Sequence, residues 1–169
     1  MTEFAIAASS AVATQAVGGA LAALAAPGDV VLLSGDLGAG KTQLTKGLAA
    51  ELGVVEPVTS PTFNILLVHE GRLPLYHFDL YRLEHAAQLE DLDYWGTLEA
   101  DGISVVEWGD RFAEAMPEQC VTVTISILSD ELRSLALAGR GPRGVLLAEA
   151  WAEACTSLPG VSVSAEKGA

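Results

Sequence analysis

The sequence predicts an α/β fold whose sheet is mixed, largely parallel and flanked by helices. Three observations carry that expectation. The octapeptide Gly35-Asp36-Leu37-Gly38-Ala39-Gly40-Lys41-Thr42 follows the apolar, β-branched run Val30-Val31-Leu32-Leu33-Ser34. After it comes a stretch in which Leu44, Leu48 and Leu52 fall on one helical face. A second apolar run, Ile103-Ser104-Val105-Val106, ends on the acid Glu107. Continuous apolar runs of this length suit parallel strands buried on both faces. The third observation is a pair of strand candidates, 63–69 and 73–83, around the turn Glu70-Gly71-Arg72, which must pair antiparallel.

In chain order, 2–8 is expected as a short edge strand. Ser9 or Ser10 can then cap a helix running to about Ala26, where Pro27-Gly28-Asp29 turns the chain. The strand at 30–34, the glycine loop and a helix over 43–52 follow, with Gly53 as the stop. Val58-Thr59-Ser60-Pro61-Thr62 reads as a loop dense in hydroxyls and held by its proline. Beyond the hairpin, 84–92 looks helical and an acidic segment at 98–101 precedes the strand at 103–106. Strands are expected at 121–128 and 132–137 around Ser129-Asp130-Glu131, then a breaker at 139–144 and a helix at 145–155. Residues 1–156 are expected to form one domain, and 157–169 a flexible tail.

The 169 residues are half hydrophobic, yet no apolar run approaches the length that crosses a bilayer. No secretory signal is apparent, and Cys120 and Cys155 make neither a disulfide framework nor a metal cluster, so the cytoplasm is the expected compartment. A formal charge of −13 opposes independent attachment to a polyanion. Any work on RNA is expected to pass through a partner.

The octapeptide satisfies G-x-x-x-x-G-K-[ST] at every fixed position, the pattern that cradles nucleoside triphosphates. Its glycines let backbone amides point at phosphate oxygens, and the helix N-terminus adds partial positive charge. Lys41 is expected to reach the β- and γ-phosphates and Thr42 to ligate Mg²⁺. Hydrolysis also needs carboxylates at strand ends. The period of two in Tyr76-His77-Phe78-Asp79-Leu80-Tyr81 sets His77, Asp79 and Tyr81 on one face, with Asp79 holding the metal or orienting the nucleophile. A pairing of Asp79 with Arg82 is the structural alternative. Glu107, at the carboxyl end of an apolar strand, suits a Walker-B-type acid in the Mg²⁺ shell. Its alternative is to cap a helix starting near Trp108. His77 is as well suited to a structural role as to a base. Thr59, Ser60 and Thr62 fit either a γ-phosphate sensor or a hydrogen-bonded turn. Of the two nearby tryptophans, Trp108 is the better site candidate and Trp95 a packing residue or partner contact.

Together the glycine loop, Ser60-Pro61-Thr62-Phe63, His77-Phe78-Asp79-Leu80-Tyr81-Arg82-Leu83 and Val106-Glu107-Trp108 resemble the TsaE (YjeE) family, the ATPase of bacterial tRNA threonylcarbamoyladenosine biosynthesis. The resemblance implies a P-loop nucleoside triphosphate hydrolase fold, ATP and Mg²⁺ as ligands, and metal-site roles for Thr42, Asp79 and Glu107. It also implies association with the TsaD and TsaB subunits, which modify adenosine 37 of tRNAs reading codons that begin with A. ATP would support assembly, and hydrolysis would reset the complex. Gly109 stands where relatives often have proline or serine, and Asp93-Tyr94-Trp95 is not a recognised family feature.

Two other function classes remain open from the residues. A small-molecule kinase would need an acceptor pocket and a lid with arginines, whereas the 6 arginines here are scattered singly. A non-hydrolysing module that binds ATP only to dock is the other.

Overall fold

The computed structural model describes residues 2–61 and 63–167. In chain order the elements are β1 (Thr2–Ala8), α1 (Ala11–Ala22), β2 (Val30–Gly35), α2 (Lys41–Glu51), β3 (Leu66–His69) and β4 (Leu75–Asp79). Two short helices, α3 (Gln88–Asp91) and α4 (Tyr94–Leu98), lead to β5 (Ile103–Glu107). A single 3₁₀ turn at Ala113–Ala115 then precedes β6 (Cys120–Ile127), β7 (Arg133–Arg140), α5 (Gly141–Cys155) and β8 (Val161–Lys167).

All eight strands lie in one sheet in the order β3-β4-β5-β2-β6-β7-β1-β8. The centre is parallel, with β4 on β5, β5 on β2 and β2 on β6. The margins are antiparallel, β3 on β4 at one side and β6 on β7, β7 on β1 and β1 on β8 at the other. β2 shows why its sequence is an unbroken apolar run. Val31 and Leu33 enter a core under α1, α2 and α5, while Val30 and Leu32 enter a second core under the segment that carries α3 and α4. The α1–α2 contact is close because Gly18 and Gly47 bring each helix onto the other's backbone. Trp151 of α5 is fully buried, and its Nε1 donates to the Val17 carbonyl of α1 at 2.8 Å. No helix of the described residues is long and apolar enough to cross a membrane.

Several elements differ from expectation. Ser10 does cap α1, accepting a hydrogen bond from Ala13 N, but the helix ends at Ala22. β3 begins only at Leu66, because the Pro61 carbonyl accepts from Asn64 N and Ile65 N and closes a turn over 63–65. β4 ends at Asp79, and the helix expected over 84–92 shrinks to α3. α4 was not foreseen. It forms because Tyr94 plugs the second core edge-on to Phe78, its hydroxyl donating to the Ala115 carbonyl. No break separates β7 from α5, since Gly141 at φ 74 turns the chain in one residue.

The tail expected at 157–169 is instead corrected to β8 over Val161–Lys167, which pairs along the whole of β1. Val161 and Val163 pack on the first core while Ser162 and Ser164 face outward, and the Gly160 carbonyl accepts from Ser9 N. β1 is consequently an interior strand and β8 the edge.

Candidate functional site

Parallel pairing brings three strand ends to one edge of the sheet. Leu33 of β2 stands opposite Glu107 of β5, and Glu107 opposite Asp79 of β4. Two residues past Leu33, Gly35 opens the glycine loop, which delivers the chain to α2 at Lys41. In that loop Ala39 N donates to the Asp36 carbonyl, and Gly38 and Gly40 take φ values of 82 and 114. A Cβ on Gly38 would meet nothing within 4 Å, so the backbone there is bare toward open space. That is the geometry in which amides can be offered to an anion.

One cavity of about 520 Å³ lies over the loop. Of the residues expected to bind or act, Leu37, Gly38, Gly40, Lys41 and Thr42 line it from the loop side, and Asp79 and Glu107 from the sheet edge. Gly35, Asp36 and Ala39 do not border it. The Gly35 carbonyl accepts from Lys41, and Ala39 is buried with its carbonyl turned to Arg133. Ser60, Tyr81 and Trp108 complete the wall together with Gln43. Thr62 of the hydroxyl loop lies outside the described residues, and Trp95 borders a different hollow near Met116.

The charged groups here are nearly dry and each has a partner. Lys41 is 7 % exposed. Its ammonium donates to the Gly35 carbonyl at 2.6 Å and lies 4.3 Å above the Trp108 ring, two contacts that offset the cost of burying the charge. Trp108 holds φ 58, uncommon for a residue with a side chain. Its N–H donates to the Leu33 carbonyl, so the kink after Glu107 is tied to β2. Tyr81 packs on the same ring at 5.0 Å. No helix starts at Trp108, so Glu107 is not a helix cap. Asp79 Oδ1 accepts from Tyr81 N at 3.0 Å. Arg82 lies over the Phe63 ring rather than in an ion pair with that carboxylate. Glu107, 3 % exposed, faces His77 Nε2 across 2.6 Å.

Chemically, the arrangement sets a cation, a hydroxyl and open glycine backbone on one side of a pocket and two carboxylates on the other. Such a site can hold a polyanion and a hard cation together.

Sequence reasoning missed Arg133. From β7 it donates through Nε to the Ala39 carbonyl at 2.9 Å and through Nη1 to the Ser129 carbonyl, pinning the glycine loop to the β6–β7 turn. Ninety-four residues separate the partners, and no local pattern announces the contact.

Comparison with known proteins gives the family and the fold. The family model described as threonylcarbamoyl adenosine biosynthesis protein TsaE matches residues 8–135. The chain belongs to the TsaE family. Among TsaE relatives, it is 41% identical to the tRNA threonylcarbamoyladenosine biosynthesis protein TsaE of Bacillus subtilis over 137 residues, 80% of this chain and 85% of that protein. The protein of the same name from Streptomyces coelicolor is 42% identical over 150 residues, covering 84% and 96%. The crystal structure of Bacillus subtilis YdiB superposes with a TM-score of 0.76 at 32% identity, covering 90% of this chain and 97% of that one. The P-loop fold expected from the TsaE resemblance is therefore the fold found.

Proposed function

We propose that this chain is a Mg²⁺-dependent ATPase that acts as an accessory subunit in tRNA threonylcarbamoyladenosine biosynthesis, working in the cytoplasm with TsaD and TsaB. The pathway is the one named by its relatives. One observation carries the chemistry: the register that stands Asp79 beside Glu107 at the edge of the cavity whose other wall is Lys41 and Thr42.

The residues suit the two ligands. The open backbone at Gly38 and the Lys41 ammonium suit phosphates, and the all-oxygen set of Thr42, Asp79 and Glu107 suits Mg²⁺. Among the described residues no group of three or more His, Cys, Asp or Glu side chains could hold a metal alone. A cation held here would complete its shell with water and phosphate oxygens, the usual habit of Mg²⁺. Lys41 and the loop amides would stabilise phosphate charge, Thr42 and Glu107 would hold the cation, and Asp79 would orient the cation or the attacking water. The cation, when bound, supplies Lewis-acid stabilisation of the transferred phosphoryl group.

Turnover by the chain alone is expected to be slow. Among the described residues no arginine lines the cavity, and Lys41 must first leave the Gly35 carbonyl and the Trp108 ring. Activation is assigned to the partner subunits. The charge of −13 supports contact with tRNA through those partners only.

The test is reconstitution of threonylcarbamoyl transfer to tRNA with TsaD, TsaB and the remaining components, adding this chain or its Lys41→Ala form. Multiple-turnover transfer is expected with the first and not with the second. Calorimetry showing no association of Mg-ATP with the folded chain would defeat the reading.

A further inference from the structure

His77 has no duty in the reading above, yet its surroundings are unusual. It is fully buried in β4, between neighbours such as Leu75 and Phe78 that fill the two cores. Its Nε2 meets Glu107 Oε2 at 2.6 Å, and its Nδ1 has no hydrogen-bond partner. An aliphatic side chain would fill the same space without leaving a ring nitrogen unsatisfied. Only the contact with Glu107 repays the imidazole.

The geometry also sets its direction. A buried N–H with no acceptor is disfavoured, so the neutral ring carries its proton on Nε2 and donates it to the Glu107 carboxylate. β4 is hydrogen-bonded on both sides, to β3 and to β5, so the donor stands on a rigid strand. Glu107 ends β5, just before the kink at Trp108, and its side chain has several rotatable bonds. One oxygen of that carboxylate is committed to His77 while the residue borders the cavity.

We propose that His77 is a positioning residue, fixing the Glu107 carboxylate in the orientation that presents it to a cation and water in the cavity. It acts as the outer partners of metal ligands do, by orienting the ligand rather than touching the ion. The inference rests on the proposed function for the role of Glu107. The His77–Glu107 contact itself belongs to the nucleotide-free chain and can be read there.

The first measurement uses the full chain without nucleotide. Long-range ¹⁵N correlation spectra of the histidines should show His77 with a proton on Nε2, shifted downfield by its short hydrogen bond. A His77 protonated on Nδ1 alone would overturn the proposal. The second compares His77→Leu with His77→Gln, whose amide can donate where Nε2 did. Calorimetry in chelator should give ATP affinities within about 2-fold of the parent chain for both, since neither touches the phosphate loop. Mn²⁺ affinity of the ATP complex, read by electron paramagnetic resonance, should fall about 10-fold or more in His77→Leu and recover largely in His77→Gln. A folded His77→Leu chain that binds Mn²⁺ like the parent sinks the proposal, and should that variant not fold, the ring spectra decide. A parent chain that binds no ATP refutes the proposed function, leaving the ring spectra to judge the His77 contact.

Discussion

The two halves of the sheet differ in burial: the half with the shorter strands is covered on both faces, the half with the longer strands on one. β4, β5 and β2 are covered on both faces, Val31, Leu33 and Val105 on one side and Val30, Leu32, Phe78 and Val106 on the other. β7 and β1 bury one face only, through Leu135, Leu137 and Ile6, and leave Ala5 and Ala136 at least partly open. The doubly covered half holds the site. There, desolvation makes each charge depend on a specific partner, as with Lys41 on Gly35 and Glu107 on His77. Anchorage falls to α5 instead, through Trp151 under α1 and the bidentate Arg143–Asp29 pair at the start of β2. Chemistry and anchorage are thus carried by different elements, the strand ends and α5, and substitutions should divide the same way.

The largest effect is expected in the covered half. Glu107→Gln should lower ATP hydrolysis by about 100-fold or more while thermal unfolding barely moves, because the amide keeps the shape and can still accept from His77. Steady-state rates beside a melting curve check both parts. A comparable loss of stability would erase the division.

In α5, Trp151→Ala should cost about 3–5 kcal/mol by denaturant unfolding, from the cavity left under α1 and the lost bond to Val17. The folded fraction should bind Mg-ATP as the parent chain does. A weakened affinity would show that α5 reaches the site energetically.

Arg133 is where the halves touch. Arg133→Ala frees the Ala39 carbonyl and unpins the glycine loop, so ATP affinity should fall about 3- to 10-fold, less than the full worth of one charge-assisted hydrogen bond because the bond acts on the loop and not on the ligand, with a small change in stability. Unchanged affinity would make the separation complete.

The smallest effect is chemical. Burial pushes the Cys155 thiol from 9.0 up to about 12 and Cys120 to about 11. The folded chain therefore keeps these protons where the unfolded chain loses them, and stability should decline as pH rises from about 9 toward 12. Below pH 9 the contribution is fully present. Thiol labelling at pH 8 should accordingly follow global unfolding, and Trp151→Ala should accelerate it at Cys155, which shares its core.

Much of the site was legible before any tertiary contact. The glycine loop between an apolar strand and a helix, the acid after Val106 and the alternation through Asp79 all encode chemistry in residues a few positions apart. Spacing reads such features directly. The alternation over 77–81 located Asp79 but left His77 undecided, since its partner Glu107 lies thirty residues on. β8 was obscured because two valines among serines are too few to signal a strand, and only the exposed flank of β1 makes one of them.

The sequence alone therefore determined the phosphate loop, the strands that flank it and the acids that end two of them, because backbone preference and side-chain period act locally. Tertiary structure decided that Asp79 and Glu107 stand side by side, that His77 turns to Glu107 and that Arg133 grips the loop. Those contacts depend on strand order and register, which arise from burying two cores at once rather than from the preference of any one segment.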